Sequence, residues 1–174
     1  MKTKIIIATG LFIINTLFCI GQERLSISVL QDAKLGIVGD SDRGYDSGTL
    51  DILLRLKMQG NQQKYGYMVV FPEVEIANLN PNYIRYSANV GYTFNQLFLD
   101  NLEISGYGSY GWINRENMAT SSFGITGEIG YNISDRFKIL ADLQVIQRKD
   151  LEVMYNDANV IKWSGFLGIE FKIF

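Results

Sequence analysis

Histidine is absent from all 174 residues, and the one cysteine, Cys19, lies inside an N-terminal apolar run. Without histidine, the commonest general base and the orienting member of hydrolytic triads are missing. Loss of residues 1–21 would also remove thiol catalysis, any disulfide within the chain and the common zinc sites. Proline is scarce, only Pro72 and Pro81. No glycine-rich phosphate loop follows a strand and opens a helix. There is no basic block, so a nucleic-acid partner has no support. After the N-terminal run, no segment has the apolar length of a membrane helix. What is present instead is 17 glycines, 10 tyrosines and 10 phenylalanines, a composition that favours extended structure with tight turns.

The N-terminus has its own pattern. Lys2 and Lys4 give a basic start, and Ile5 to Ile20 is apolar except at Thr9, Gly10, Asn15 and Thr16. Cys19-Ile20-Gly21 then places small residues where a signal peptidase reads, before polar Gln22-Glu23-Arg24. The pattern predicts a signal peptide over residues 1–21, cleaved after Gly21, and one domain over 22–174. The rivals are a transmembrane anchor, for which the run is short, and a lipoprotein acylated on Cys19, where Phe18 stands in place of the required small residue. Removing Lys2 and Lys4 leaves 14 basic against 18 acidic residues.

Alternation with period two recurs along the chain and predicts eight strands. In the first, Leu25, Ile27, Val29, Ala33, Leu35 and Ile37 oppose Ser26, Ser28, Asp32 and Lys34. The second sets Leu50, Ile52, Leu54, Leu56 and Met58 against Asp51, Arg55 and Lys57. In the third, Met68, Val70, Val74 and Ile76 alternate with Glu73 and Glu75, but Tyr65, Tyr67, Val69 and Phe71 are apolar as well. Pro72 lacks a backbone donor and predicts a bulge or local disruption there. The fourth sets Ile84, Tyr86, Ala88, Val90, Tyr92 and Phe94 against Arg85, Ser87, Asn89 and Thr93. Four more follow: Leu102 to Trp112, Phe123 to Ile133, Phe137 to Val145, and Ile161 to Ile173.

The connections after even strands are fairly short (59–63, 95–101, 134–135), whereas those after odd strands include long ones (38–48, 114–120, 149–158). Only 77–82 breaks the asymmetry. Short turns at one end and longer loops at the other is the layout of an outer-membrane barrel, with both termini on the periplasmic, short-turn side.

Three arguments place the apolar face outward. About forty large apolar side chains, counted over strands of roughly ten residues, exceed what the interior of an eight-stranded barrel holds. Aromatics also cluster by height. Tyr86, Tyr110, Trp112, Phe123 and Trp163 fall near the loop end, and Tyr92, Phe94, Tyr131, Phe137 and Phe171 near the turn end. Aliphatic and small residues lie between, the arrangement of two membrane interfaces. From Tyr86 to Phe94 is about 20 Å of depth once strand tilt is allowed for. Lastly, the polar face carries both signs. Asp32, Asp51, Glu73, Glu75, Glu103, Glu128, Asp142 and Glu170 can meet Lys34, Arg55, Lys57, Arg85, Lys138, Arg148, Lys162 and Lys172. Mutual neutralisation makes such charges tolerable in a narrow lumen.

The segment Gly130-Tyr131-Asn132-Ile133-Ser134-Asp135-Arg136-Phe137 resembles the strand–turn–strand of the small eight-stranded outer-membrane β-barrel family. The aromatic end, Gly168-Ile169-Glu170-Phe171-Lys172-Ile173-Phe174, is similar to the terminal strand that the barrel-assembly machinery recognises, although Phe174 stands one step out of phase with Phe171, Ile169 and Leu167. The resemblance implies an all-β, closed, antiparallel up-and-down transmembrane β-barrel in the outer membrane of a diderm bacterium. It implies outer-membrane lipid and the assembly machinery as partners, the latter through the C-terminal strand, and no cofactor. Barrel enzymes of similar size (palmitoyl transferases, deacylases, phospholipases, omptin-type proteases) depend on histidine, so none of those routes is open, and no catalytic residue is expected.

Two acidic constellations remain. Glu73 and Glu75 share a strand face and could serve acid–base work, but partnership with lumen cations is the simpler expectation. Asp40, Asp42 and Asp46 resemble an oxygen-rich calcium loop. That loop misplaces the glycine and has Asp51 at the twelfth position, so the expectation is no metal. Asp150, Glu152 and Asp157 form a second acidic loop. Gly106, Gly108 and Gly127 make a smooth patch that could admit a neighbour or ease curvature. The expected function is a surface structural or interaction role through the loops at 38–48, 114–120 and 149–158. The alternatives are a narrow pore for ions or small solutes, a lipocalin-like carrier, for which a Gly-x-Trp element and a closing helix are lacking, and a lipid-modifying enzyme without histidine.

Overall fold

Strict alternation over nine or more residues gives each strand one apolar and one polar face, and neither face can be stable until the sheet has no edge. The computed structural model describes residues 24–41, 44–95, 99–116, 118–156 and 159–173. Its strands are β1 (Arg24–Asp32), β2 (Asp51–Gln59), β3 (Gly66–Ala77), β4 (Tyr83–Phe94), β5 (Leu102–Arg115), β6 (Met118–Asn132), β7 (Phe137–Gln147) and β8 (Ile161–Lys172). Each pairs antiparallel with its sequence neighbours, and β8 returns to β1, with Ser26 opposite Lys172 and Asp32 opposite Phe166. The result is a closed up-and-down barrel of eight strands, and closure leaves no strand with an open edge.

Two local features differ from the reading of the sequence, and a third, at Pro72, is the local disruption it expected rather than a bulge. β1 stops at Asp32, so Ala33, Leu35 and Ile37 do not extend it; Lys34–Val38 forms a π-helical turn. The Asp32 carboxylate accepts a hydrogen bond from Leu35 N at 2.7 Å, an Asx-type turn that competes with further strand. The expected loop at 114–120 is mostly strand: Arg115 pairs with Met118, leaving only residues 116 and 117 between them. In the hairpin between β2 and β3, the ladder omits the positions opposite Pro72 and Phe71 but keeps the same register on both sides. The missing proline donor therefore interrupts pairing without inserting an extra residue. The loop at 38–48 carries a small bridge, Asp40 to Tyr45. The loop at 149–158 holds one helix, α1 (Lys149–Tyr155).

The faces separate as the volume argument requires. Ile27, Val29, Leu54, Leu56, Val90, Ile125, Ile129, Leu143 and Ile169 are exposed on the outer wall, while Arg55, Lys57, Glu73, Arg85, Glu128 and Glu170 are buried inside. The interior is not wholly polar. Leu30, Leu53, Leu140 and Phe166 form one buried apolar cluster, Tyr67, Val69, Phe71 and Tyr107 a second, and Ala77, Tyr83 and Ile113 a third. These layers fill the space that the charged side chains span. The signal-peptide region, Asp42 and Phe174 lie outside the described residues, so their expected roles do too.

Candidate functional site: charged lumen and loop-end mouth

Inward positions on β2 through β8 bring opposite charges together inside the barrel. Arg55 lies at the centre. Its Nε donates to Glu73 at 2.7 Å, and its Nη1 donates to Glu128 at 3.1 Å and to Asp142. Glu73 also accepts from Arg85 at 3.0 Å. Lys57 bridges Glu128 at 2.6 Å and Glu170 at 2.9 Å. Lys138 continues the chain to Glu170 at 3.0 Å and Glu103 at 2.6 Å. One connected network thus runs from Arg85 to Glu103.

Hydroxyls complete it: Tyr67 donates to Glu103 and Tyr107 to Glu128, both at 2.9 Å, and Ser28 donates to Glu170 at 3.2 Å. The Phe71 and Tyr107 rings meet edge to face, 5.0 Å between centroids at 89°. Arg55 and Lys57 lie 5.3 and 5.8 Å from the Phe71 centroid, and Lys57 lies 5.5 Å from that of Tyr107. The aromatics thus pad the cations as well as filling volume.

Placement of the remaining polar-face residues is uneven. Lys34, expected in the lumen, is an exposed turn residue paired with Asp40 at 3.1 Å. The end of β1 at Asp32 carries it out of the strand phase. Lys162 is half-buried at the loop end and Lys172 at the turn end, where its ammonium donates to Asn132 at 2.8 Å. Arg148 stands just beyond β7 and grips Asp150 with two hydrogen bonds, both 2.8 Å. Burial works against the Arg148 cation, but the bonds to Asp150 together with the electrostatic pull of neighbouring Tyr83, Asp150 and Glu75 outweigh it and hold the guanidinium above its ordinary pKa. With Lys34 outside, carboxylates outnumber cations in the lumen, and Asp51 and Glu75 each keep one buried oxygen with no hydrogen-bond partner among the described residues.

Of the calcium-like residues, Asp40 pairs with Lys34 and Asp46 offers its backbone carbonyl to Thr49, while Asp42 lies outside the described residues. Among the described residues no group of three or more acid, histidine or cysteine side chains could hold a metal.

Outside, aromatic residues pair across strands at both heights. Towards the loops, Tyr86 stands opposite Trp112 and Tyr110 opposite Phe123, and Trp163 on β8 is 66% exposed. Towards the turns, Phe137 stands opposite Phe171 with ring centroids 5.1 Å apart. Phe94 and Tyr131 are exposed at that height, and Tyr92 is half-buried against Phe94. The sequence reading missed Tyr67, Phe71 and Tyr107 as lumen residues because apolar side chains on the polar face blur alternation. It also missed Arg115, which reaches Asp150 at 3.5 Å. Phase alone could have found Arg115, since it lies two residues beyond inward Ile113.

No protein-family model and no curated protein matches the chain. Solved structures do. The Yersinia pestis outer membrane protein Ail, determined in a phospholipid bilayer nanodisc, superposes with a TM-score of 0.55 at 12% identity, covering 86% of this chain and 99% of its own. A chain reported under the de novo design of transmembrane β-barrels gives 0.49 at 11% identity, covering 87% and 97%. Taken with the closed antiparallel sheet, its apolar outer wall and its ion-paired interior, the match to Ail gives this chain the fold of a small transmembrane eight-stranded β-barrel.

Proposed function

We propose that the chain is an outer-membrane barrel with no catalysis of its own, whose lumen is a structural plug and whose work is done by the loop end facing the cell exterior. One observation carries this reading: the inward face is spanned by a connected ion-pair network, while the outward face presents aliphatic residues between two aromatic belts. A buried charge is tolerable where it is paired, and an exposed aliphatic band of that extent is tolerable in lipid. A narrow pore is opposed by Arg55, which reaches from β2 to Glu128 on β6 and Asp142 on β7 across the lumen. Absent histidine supports the non-enzymatic reading.

Cell fractionation with an unboiled and a boiled gel lane tests it. The expected result is a membrane-fraction protein whose mobility changes on boiling, because the hydrogen-bonded wall resists detergent until heated. In planar bilayers, the purified protein should conduct no more than the bilayer alone. A soluble protein without a mobility shift would reverse the assignment of faces, and steady single-channel conductance would establish the pore.

A further inference from the structure

At the loop end, α1 folds over the mouth and leaves a pocket of about 380 Å³ between the helix, the loop bridge and the connection after β3. Its wall combines Leu79, Leu151, Tyr45 and Tyr155 with Arg115 and Arg148, and among the described residues it contains no acidic side chain. Polar and apolar surface share that wall about equally, so an apolar body can be enclosed on one side while convergent polar groups fix its orientation, as in small-molecule sites.

The two guanidiniums are not equivalent. Arg148 is committed, held by both oxygens of buried Asp150 and lying 4.2 Å from the Tyr83 ring centroid. Arg115 has capacity left: it meets Asp150 only at 3.5 Å, and its Nε donates to the Pro81 carbonyl at 3.2 Å. The Tyr155 ring lies 5.6 Å from the Arg115 guanidinium carbon and forms an aromatic wall beside it. Tyr45 is fixed at the rim because its hydroxyl accepts from Asn80 N at 3.1 Å. Asp150 is thus shared by two arginines, with the charge of Asp51 and Glu75 also bearing on Arg148, and the less engaged arginine faces a space walled in part by Leu79, Leu151 and Tyr155. Arginine offers a planar fork of donors that suits a carboxylate.

We infer that this pocket binds a small carboxylate carried on an aromatic or alkyl body, with Arg115 receiving the anion and Leu79, Leu151 and Tyr155 enclosing the body. The inference rests on the reading of the loop end as the working surface, and it names the class of ligand taken there.

Isothermal titration of the full chain in a neutral maltoside detergent, with 3-phenylpropionate as probe and 3-phenylpropanol as its uncharged counterpart, tests it. The acid should bind at least tenfold more tightly than the alcohol. Arg115→Gln should weaken the acid at least tenfold. Because that change also disturbs the contact with Asp150, Leu151→Glu provides a second arm: it leaves both arginine pairs intact, brings a negative charge to the pocket wall, and should weaken the acid to the same extent. No binding by the parent protein, equal binding of acid and alcohol, or binding retained in Leu151→Glu would overturn the inference. A heat-modifiable membrane protein that fails to bind sinks only this inference, whereas a soluble protein without a mobility shift sinks the functional reading beneath it.

Discussion

Arg55 meets three carboxylates at once, and its side chain is fully buried. Removing it would leave Glu73, Glu128 and Asp142 short of a counter-charge in a low-dielectric interior, a loss of about 3–5 kcal/mol by the usual cost of breaking a buried pair. Arg55→Ala should therefore lower the urea midpoint of unfolding in detergent substantially, and an unchanged midpoint would show the network to be dispensable. Glycines give a sharper contrast. A Cβ on Gly91 would meet the Gly106 carbonyl oxygen at 2.0 Å and the Tyr107 ring at 2.6 Å, whereas one on Gly108 would meet nothing within 4 Å. Gly91→Ala should cost about 1–3 kcal/mol through overpacking, and Gly108→Ala should stay within about 0.5 kcal/mol. The same urea titration reads both.

The elements divide into a wall that is over-determined and a loop end held by few contacts. β5 and β6 pair over 14 positions, from Leu102 opposite Tyr131 to Arg115 opposite Met118, and turn through two residues. Glu116 in that turn has φ of 46°, a left-handed conformation that its side chain disfavours. Glu116→Gly relieves about 1–2 kcal/mol of left-handed strain against about 0.5–1 kcal/mol of added chain entropy, so the net gain should show as a higher temperature for the gel shift; a lower one would contradict the turn geometry. At the opposite extreme, α1 is seven residues long and is anchored through Asp150. Asp150→Ala should release the helix and speed tryptic cleavage after Arg148 and Lys149, with the barrel itself intact. The strands were legible because alternation persists for nine to fifteen residues. The end of β1 was not, because Ala33, Leu35 and Ile37 continue the period while the Asp32 carboxylate turns the backbone away. The hairpin at 114–120 was misread as a loop because Asn114, Arg115, Glu116 and Asn117 have turn-like composition, whereas a hairpin standing beyond the aromatic belt is free to be polar on both faces.

For the molecule as a whole, the decisive quantity is which face meets lipid. Ile125, 69% exposed, sits midway along the outer wall, between the belt residue Phe123 and Gly127. Ile125→Arg should cost about 2–4 kcal/mol at that depth, read as reduced folding yield into phospholipid vesicles. Ser121→Arg, beyond Phe123 on the loop side, should change little. Equal yields for the two would argue that the outer wall never enters a bilayer. The network inside belongs to the same scale, since its members come from seven strands and its cross-lumen pairs, such as Arg55 with Asp142 and Lys57 with Glu128, need the sheet to curl into a barrel.

The sequence by itself determined the strand count, the up-and-down order and the outward apolar face, because period-two alternation and a volume limit act on each strand separately and need no knowledge of its neighbours. Most of the inward charges were legible for the same reason, as a set of residues sharing one phase. Only the tertiary structure decided which charge meets which. Pairing in a closed barrel depends on register and height, so Arg55 could not be matched to Asp142, 87 positions away, from phase alone. It also decided that Lys34 leaves the lumen, that Tyr67, Phe71 and Tyr107 enter it, and that Arg115, Arg148 and Asp150 gather beneath α1. Those outcomes turn on where a strand ends and what a connection folds into, and both are settled by competing local hydrogen bonds and by the space that closure leaves.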